Sequence, residues 1–358
     1  QTFKNVIEGN YVYVDKTELI YELVHENKYC FLSRPRRFGK SLLVTTLQAY
    51  FEGKKNLFKG LAIDRMETEW ISYPVLHFDI SKGKYYSLSN LMSTLNVVIS
   101  PYEELYNLTP DKSDDFNVRI INIIKAAKQQ TGKNVVVLID EYDCPMHDSM
   151  KDEKLQEQIR DIMRNFFSPL KSEEDNLQFV FMTGISKFSQ LSIFSELNNI
   201  TNISMEDEYS SICGISKEEL LEDFHDDIED LAKAQNMTFD EAVAQLKFHY
   251  DGYHFSGNGA DMFNPYSLLN TFRLNKFNSY WFSTGTPTFL IELLKQKGID
   301  MLQMEDIWTN SDRFDTPTKK ITDPIPVLYQ SGYLTIKDYI DMADSYKLAF
   351  PNEEVRKG

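Results

Sequence analysis

The sequence predicts an α/β fold in which helices cross a parallel β-sheet. Three observations predict it. Strand-like apolar runs alternate with helical segments, and the most strand-like run shows no polar alternation. The composition also supports packed cores, since 42% of the 358 residues are hydrophobic and 13% are aromatic. Strands that alternate with helices in this way are typical of a parallel sheet with crossover connections.

Five runs are predicted to be the strands of this sheet. The first leads directly into a glycine-lysine-serine turn, after which SLLVTTLQAYF has apolar residues at helical spacing. The third, NVVVLIDEYD, is apolar without alternation, as expected of a central strand covered on both faces. The amphipathic helix EKLQEQIRDIMRNFFSPL separates it from the fourth. The predicted strands span residues 29–34, 73–81, 134–143, 176–186 and 200–205.

The residue composition changes after about residue 206, where the chain becomes acidic and rich in helix-forming residues. This region begins with Ser216 followed three residues later by Glu219, the pattern of a capping box at a helix N-terminus. YDGYHF (250–255) is interpreted as an aromatic-rich turn that packs beneath a helical lid. PIPVLYQSGYLTIKDY (324–339) resembles a helix followed by a β-hairpin.

Charge, cysteine content and hydropathy narrow the class of protein. The net charge of −16 repels a polyanion on average, so contact with nucleic acid would need a local basic patch. Cys30, Cys144 and Cys213 lie far apart, which disfavours a disulfide framework and structural zinc. The apolar runs are much shorter than the roughly 20 residues that span a bilayer. Because no leader-like segment is recognised either, we expect a cytoplasmic protein.

The stretch SRPRRFGKSLL, residues 33 to 43, nearly matches the phosphate-binding pattern G-x-x-x-x-G-K-[ST]. Arg34 stands where the first glycine belongs. In such a loop Gly39 would let backbone N–H groups approach phosphate oxygens, Lys40 would reach the β- and γ-phosphates, and Ser41 would ligate Mg²⁺. A GKS triplet can occur by chance, but this one lies between a strand and a helix, as the mechanism requires. The residues predicted to bind nucleotide are Arg34, Pro35, Arg36, Arg37, Phe38, Gly39, Lys40, Ser41 and Leu42.

The basic residues of this loop have two interpretations. Four cations fall within seven residues: Arg34, Arg36, Arg37 and Lys40. We interpret them as facing a triphosphate. The alternative, a nucleic-acid patch, predicts further basic clusters or interleaved aromatic residues nearby, and the sequence shows neither.

An acidic pair, Asp140 and Glu141, follows the third predicted strand. In nucleotide hydrolases with this layout the aspartate holds Mg²⁺, and the glutamate orients and deprotonates the attacking water. An ordinary solvated strand end is the alternative, because Asp-Glu after a buried strand is common. We predict Ser41 and Asp140 as metal ligands, and Glu141 and Lys40 as catalytic residues.

Polar residues also follow the fourth predicted strand. In hydrolases with an extra strand between the loop strand and the acidic strand, a polar residue here contacts the γ-phosphate or the water. Thr183 and Ser186 are candidates, with Lys187 as a further phosphate-facing charge, and a simple strand-terminating turn is the alternative. Arg160 and Arg164, on the helix after the acidic strand, are candidates for an arginine finger.

Together these residues resemble the bacterial AAA-ATPase-like proteins whose loop reads RPRRFGKS. The likeness covers nearly the whole chain, with its motifs in the same order. These motifs are YVYVDKT (11–17), RPRRFGKS (34–41), YPVLHFDIS (73–81), LIDEYD (138–143), MTGISKFSQLSIFSELNNIT (182–201), YDGYHF (250–255), FNPYSLLN (263–270), YWFSTGTPTFLI (280–291), YQSGYLTI (329–336) and FPNEEV (350–355).

The resemblance implies a P-loop NTPase core of the extra-strand, AAA-like type with parallel strand order 5-1-4-3-2. It implies three parts: the core at 1–205, a helical lid-like region at 206–298 and a small winged-helix-like segment at 299–358. Arg34 in the glycine position is then a family trait, which favours a working site. Asp15 and Lys16 would lie near the nucleotide. Members commonly carry an appended nuclease-like domain of the PD-(D/E)XK type, whose carboxylate cluster is not recognised in this sequence.

We therefore expect an ATP-binding protein that hydrolyses ATP slowly, with Mg²⁺, and uses it as a switch. The choice of ATP over GTP rests on the resemblance, since no N-K-x-D motif occurs. The alternative is a nucleotide-gated binding module with negligible turnover, which presents a surface to a protein partner, to another copy of itself or to DNA. A third hypothesis is a structural protein whose loop binds an anion incidentally. We expect no membrane partner.

Overall fold

Two compact units make up the chain in the computed structural model. The structure describes residues 2–109, 115–150, 152–186, 200–283, 290, 294–295, 298, 305–314 and 323–358. The first unit comprises Gln1–Tyr11, Asp15–Leu32 and Ser41–Ile203, and the second comprises Val12–Val14, Ser33–Lys40 and Ser204–Gly358. The glycine-lysine loop thus clusters with the second unit, although the first contains most of the strand before it and the helix after it. The three-part division of the chain stays a prediction.

A five-stranded parallel sheet forms the centre of the first unit. Its strands are β1 Tyr29–Ser33, β2 Val75–Asp79, β3 Val135–Asp140, β4 Leu177–Gly184 and β5 Thr201–Asn202. They lie in the order β2-β3-β4-β1-β5, and every residue of β1 and β3 is buried. This confirms both the α/β class and the strand order 5-1-4-3-2. Strands without alternating polarity suit a sheet that is covered on both faces.

Helices connect these strands, and their ends follow capping rules. Ser87 and Asp152 cap the helices that begin after them, because each side chain accepts a hydrogen bond from a backbone N–H in the first turn. Gly132 ends another helix in the left-handed conformation, with φ of 67°. The helices are α1 Phe3–Glu8, α2 Thr17–Glu26, α3 Lys40–Phe51, α4 Ile63–Met66, α5 Leu88–Leu105, α6 Phe116–Thr131, α7 Cys144–Asp148, α8 Glu153–Phe167 and α9 Pro169–Ser172.

The core of the first unit lies between this sheet and its long helices. Apolar residues at helical spacing on α5, α6 and α8, such as Leu95, Ile123 and Phe166, pack with Val137 of β3 and Leu76 of β2. All five side chains are almost completely buried. Burying apolar surface of this kind contributes about 25 cal/mol per Å², so this contact stabilises the packing of the helices on the sheet.

The second unit has a helical part whose predicted start is confirmed. Ser216 and Glu219 form the capping box, in which the Glu219 N–H donates to Ser216 Oγ (3.2 Å) and the Ser216 N–H donates to Glu219 Oε2 (2.7 Å). Thr238 and Glu241 form a second box. The helices are α10 Lys217–Asp223, α11 His225–Gln235, α12 Phe239–Tyr250, α13 Pro265–Leu274 and α14 Tyr280–Ser283.

A small antiparallel sheet with short helices completes the second unit. Its strands β6 Ile307–Thr309, β7 Thr335–Ile340 and β8 Ser345–Ala349 lie in the order β6-β8-β7. The helices here are α15 Ser311–Phe314, α16 Ile325–Gln330 and α17 Glu353–Lys357. The predicted helix and the first strand of the predicted hairpin are confirmed as α16 and β7, whereas the strand that pairs with β7, β8, lies beyond the predicted segment. Within the described parts of the chain, no helix has both the length and the hydropathy to cross a membrane.

Candidate functional site

The end of strand β3 carries a buried carboxylate in a fixed orientation. The apolar run of β3 ends at Asp140, which is only 3% exposed. Strand β4 runs parallel to β3 with Met182 opposite Ile139, so the next residue, Thr183, lies beside Asp140. The Thr183 hydroxyl donates a hydrogen bond to Asp140 Oδ1 at 2.7 Å. One carboxylate oxygen is thereby held in place by the neighbouring strand.

Glu141 follows in a backbone conformation that is unfavourable for its residue type. Its φ is 55°, in the left-handed region, which costs about 1–2 kcal/mol for a residue with a Cβ. Two hydrogen bonds to Thr183, a residue of β4, stabilise the turn. The Glu141 N–H donates to Thr183 Oγ1 (3.3 Å), and the Tyr142 N–H donates to the Thr183 carbonyl (2.9 Å). Strained backbone held by its surroundings is typical of functional sites. Thr183 thus contacts both members of the acidic pair.

A second polar network lies just after the acidic pair, and sequence reasoning missed it. The Asp143 carboxylate is fully buried and accepts hydrogen bonds from the backbone N–H groups of Ile185 (3.0 Å) and Ser186 (2.8 Å). His147 Nε2 lies 2.9 Å from Asp143 Oδ2 and 2.7 Å from Ser186 Oγ. The network ties helix α7 to the chain that leaves β4. The i,i+4 spacing of Asp143 and His147 was the available signal.

Both residues predicted after the fourth strand lie next to this acidic segment. Thr183 is fully buried and its hydroxyl contacts Asp140, whereas the Ser186 hydroxyl is turned to Asp143 and His147. Their contact with a γ-phosphate or water stays a prediction. Lys187, the third candidate, lies outside the described residues.

The two arginine-finger candidates lie on helix α8. Arg160 is half-buried, while Arg164 is exposed and its Nη1 lies 3.9 Å from Asp161 Oδ1, one turn earlier. A single exposed pair of this length contributes little to stability. Their role as an arginine finger stays a prediction.

The loop between β1 and α3 has two residues in the left-handed region. Gly39 has φ of 94° and Arg37 has φ of 68°. A Cβ added at Gly39 would meet no atom within 4 Å, so glycine is favoured there by backbone conformation rather than by space. Helix α3 begins at Lys40, immediately after this turn, so backbone N–H groups at the positive end of a 12-residue helix follow the loop. This is a backbone geometry that binds anions.

The Lys40 side chain contacts the beginning of its own loop. It is 3% exposed, and its Nζ donates hydrogen bonds to the carbonyls of Arg34 (2.9 Å) and Pro35 (3.2 Å). The ammonium group therefore lies against the front half of the loop, at the position where the pattern normally has its first glycine. Ser41, the next residue, is exposed, and Leu42 is half-buried.

The Arg34 side chain is buried within the second unit. It is 1% exposed, and the guanidinium donates to the carbonyls of Ser33 (2.9 Å), Ser204 (2.8 Å) and Tyr209 (3.2 Å). These carbonyls occupy several of the donors of the guanidinium. Contact of Arg34 with a nucleotide stays a prediction.

Arg36 and Arg37 differ from Arg34 in their exposure. Arg36 is half-buried and Arg37 is exposed, with its guanidinium 5.1 Å from the ring centre of Tyr266. Neither forms an ion pair with any residue in the described ranges. Two of the three loop arginines are therefore accessible to an anion.

Asp15 has a local structural role. Its Oδ1 accepts from the Thr17 N–H (2.9 Å) and Thr17 hydroxyl (2.6 Å), and its Oδ2 accepts from the Ala62 N–H (2.7 Å). These bonds hold the start of α2 near α4. Proximity of Asp15 and Lys16 to a nucleotide stays a prediction.

The donor set suits a hard divalent cation. A carboxylate at Asp140 and a hydroxyl at Ser41 are the oxygen ligands that Mg²⁺ prefers. Over the described residues there is no group of three or more His, Cys, Asp or Glu side chains that could hold a metal. Mg²⁺ commonly takes one or two protein oxygens and completes its shell with phosphate oxygens and water. Binding of Mg²⁺ by Ser41 and Asp140 stays a prediction.

Comparisons with known proteins find a matching family model and a similar protein. The family model for AAA-ATPase-like proteins, described as predicted AAA-ATPase, matches residues 1–194. An uncharacterized protein in the vnfD 5′ region of Azotobacter chroococcum mcd 1 is 33% identical over 361 residues, which cover 99% of this chain and 67% of that protein.

Two solved structures also show similarity. The ORC2 protein of Aeropyrum pernix, in ADPNP–ADP complexes, is 10% identical with a TM-score of 0.32, over 94% of this chain and 88% of that one. Cdc6p of Pyrobaculum aerophilum is 10% identical with a TM-score of 0.30, over 95% of this chain and 89% of that one.

Proposed function

We propose that this chain, which belongs to the predicted AAA-ATPase family, binds ATP at the RPRRFGKS loop, hydrolyses it with Mg²⁺ and acts as a nucleotide switch. The family supports a nucleotide-binding, ATPase-like role. To this role we add three proposals: hydrolysis of ATP, the requirement for Mg²⁺ and the action as a switch. Their support is the chemistry of the residues at the strand ends.

The observation that carries this proposal is the Asp140–Thr183–Glu141 arrangement. The strands β1, β3 and β4 are parallel neighbours in one sheet, so their carboxyl ends meet at the same edge. Open α/β sheets bind their ligands at this edge. β3 ends at the acidic pair, β4 ends just after the threonine that holds it, and β1 ends where the glycine-lysine loop begins.

The proposed reaction is an attack of water on the γ-phosphorus of ATP. Glu141 would orient the water and accept its proton, while the bond between the γ-phosphorus and the β–γ bridging oxygen breaks to give ADP and phosphate. Lys40 and the accessible Arg36 and Arg37 would stabilise negative charge on the phosphate oxygens. Ser41 and Asp140 would hold Mg²⁺, which when bound neutralises charge on the β- and γ-phosphates.

Replacing Lys40 tests nucleotide binding directly. We expect Lys40→Ala to abolish measurable Mg·ATP binding in a calorimetric titration, because it removes the one loop ammonium that can reach the β- and γ-phosphates. Lys59→Ala, at an exposed lysine of the first unit, is the matched control and should bind as the wild type does. Unchanged affinity in Lys40→Ala would contradict the proposed site.

A further inference from the structure

The motif YDGYHF lies against the phosphate loop. Phe38, in the loop, is 1% exposed and its ring packs edge-on against Tyr253 and Phe255, with ring centres 4.7 and 5.3 Å apart. The two motif rings stack at 6.5 Å and are themselves buried. Such edge-to-face pairs contribute about 0.5–1.5 kcal/mol each beyond the area that they bury. Phe38 therefore packs against two rings that lie more than two hundred positions later in the sequence.

Arg34 is held by the same motif. The centre of its guanidinium lies 4.2 Å from the ring centre of Phe255, while its nitrogens donate to the backbone carbonyls of Ser33, Ser204, Tyr209 and Ser210. A buried cation over an aromatic face is stabilised more strongly than one at the surface. Arg34, which replaces the first glycine of the pattern, thus holds the loop through buried side-chain contacts. Its carbonyl accepts the hydrogen bond from Lys40.

Other residues of the second unit contact the loop backbone at further points. The Trp281 indole N–H donates to the Arg36 carbonyl at 3.2 Å, and the Gly214 N–H donates to the Phe38 carbonyl at 3.2 Å. A Cβ added at Gly332 would lie 2.7 Å from two ring atoms of Pro35, and Gly332 has φ of 86°, so only glycine fits at this contact.

We propose that Arg34, Phe38, Tyr253 and Phe255, together called the loop anchor, position the phosphate-binding loop and thereby set its affinity for nucleotide. Canonical loops reach their conformation through a flexible glycine at the first position, which this chain lacks. The loop anchor imposes the conformation by side-chain packing instead. Rigidifying a binding loop in advance lowers the entropy cost of ligand binding.

The loop anchor differs from an ordinary part of the core by its connection to Lys40. Phe38 precedes the Gly39 turn directly, and Arg34 presents the carbonyl to which the Lys40 ammonium is bonded. A change in the anchor therefore moves the backbone on both sides of that turn. Tyr253 and Phe255 would act through the loop, as positioning residues, and would not touch the nucleotide themselves.

Two substitutions of Tyr253 separate positioning from general stability. Tyr253→Leu removes the ring that packs on Phe38, whereas Tyr253→Phe keeps it and removes only the hydroxyl. Phe272→Leu is the matched control, because Phe272 is a buried ring of the same unit that stacks on Phe224 at 5.6 Å and belongs to the helical core. Affinity for Mg·ATP is measured by calorimetry on the full chain, well below the melting temperature of each variant.

We expect Tyr253→Leu to raise the Kd for Mg·ATP about tenfold, which equals about 1.4 kcal/mol, while Tyr253→Phe and Phe272→Leu bind like the wild type. Wild-type affinity in Tyr253→Leu would overturn the proposal. So would an equal loss in Phe272→Leu, because affinity would then follow stability alone.

The effect of the loop anchor on affinity rests on the proposed function, because it requires that the loop binds nucleotide. Amide hydrogen exchange of residues 33–40, measured without nucleotide, tests the loop anchor separately. We expect faster exchange in Tyr253→Leu and wild-type exchange in Tyr253→Phe. If the wild type binds no ATP, the proposed function fails, yet this exchange still decides whether the anchor holds the loop, and unchanged exchange overturns it. If Tyr253→Leu does not fold, Arg34→Lys, which loses the fork of donors, takes its place with the same expectations.

Discussion

At the residue scale, Thr183 connects the acidic pair to the sheet. Its single hydroxyl donates to Asp140 and accepts from the N–H of Glu141, and the side chain is fully buried. A hydroxyl that bonds both the carboxylate proposed to hold Mg²⁺ and the residue proposed to activate water would set the geometry of both. Its placement depends only on the register of β4 against β3.

Thr183→Val tests this role, because valine has nearly the same shape but no hydroxyl. We expect ATP turnover to fall about tenfold and the free energy of unfolding to fall by about 1–3 kcal/mol, since Asp140 loses a buried hydrogen bond. Thr183→Ser, which keeps the hydroxyl, should retain most of the turnover. Steady-state phosphate release and urea denaturation measure the two effects, and full activity in Thr183→Val would contradict the role.

Asp251 gives a prediction about pH. Burial raises the pKa of its carboxyl from 3.8 to about 6, and Oδ1 has no hydrogen-bond partner in the described part of the chain. Asp261 raises this pKa further, whereas the Gly252 N–H, Lys247 and Lys337 lower it. A raised pKa means that the folded state binds the proton more tightly than the unfolded state. The contribution of this group to stability therefore falls as the pH rises from about 4 to about 6.

Asp251→Asn removes that ionisation. We expect the variant to be more stable than the wild type at pH 7.5, with a smaller advantage at pH 4.5, where the wild-type carboxyl is largely protonated. Urea denaturation at both pH values measures the difference. Asp338→Asn, at an exposed aspartate of the same unit, is the control and should shift stability little. A stability difference for Asp251→Asn that does not change with pH would contradict the assignment.

At the scale of elements, local sequence signals predict most of what the structure shows. The buried strands, the amphipathic helix α8, the capping box at Ser216 and the strand β7 all follow from periodicity, capping or turn chemistry within a few residues. The order of the strands came from the family resemblance. It does not follow from the pattern of any one strand.

The capping box is a test of these local rules. Ser216→Ala removes the oxygen that accepts from the Glu219 N–H at the start of α10, and we expect a loss of about 1 kcal/mol in the free energy of unfolding. Urea denaturation measures it, and Ser216→Thr should recover most of the loss. An unchanged unfolding midpoint in Ser216→Ala would show that this cap does not stabilise the unit.

Long-range partners could not be predicted from such signals. The charge pattern of the loop does not indicate that Arg34 bonds the carbonyls of Ser204 and Tyr209, which lie about 170 positions away. The aromatic turn YDGYHF was expected to pack beneath a lid, and Tyr253 contacts Phe38 of the loop. Tertiary packing decides which buried partner a side chain contacts. Composition and periodicity carry no information about that packing.

At the scale of the whole molecule, the loop and the acidic pair are carried by different units of the chain. The loop residues Ser33–Lys40 cluster with the second unit, while the acidic pair ends a strand of the first. Lys40→Ala and Glu141→Gln therefore each change a different unit. The net charge of −16 repels a polyanion on average, so a nucleic-acid contact would need a local basic patch.

The most direct test of the account is steady-state ATP hydrolysis by the purified chain with Mg²⁺, beside Glu141→Gln. The substitution keeps the size of the side chain and removes its ability to accept a proton. We expect turnover in the wild type and its loss in the variant, with Mg·ATP binding retained in both. Equal turnover in the two proteins would contradict the role of Glu141. ATP binding without turnover in either would contradict hydrolysis and leave a nucleotide-gated binding module.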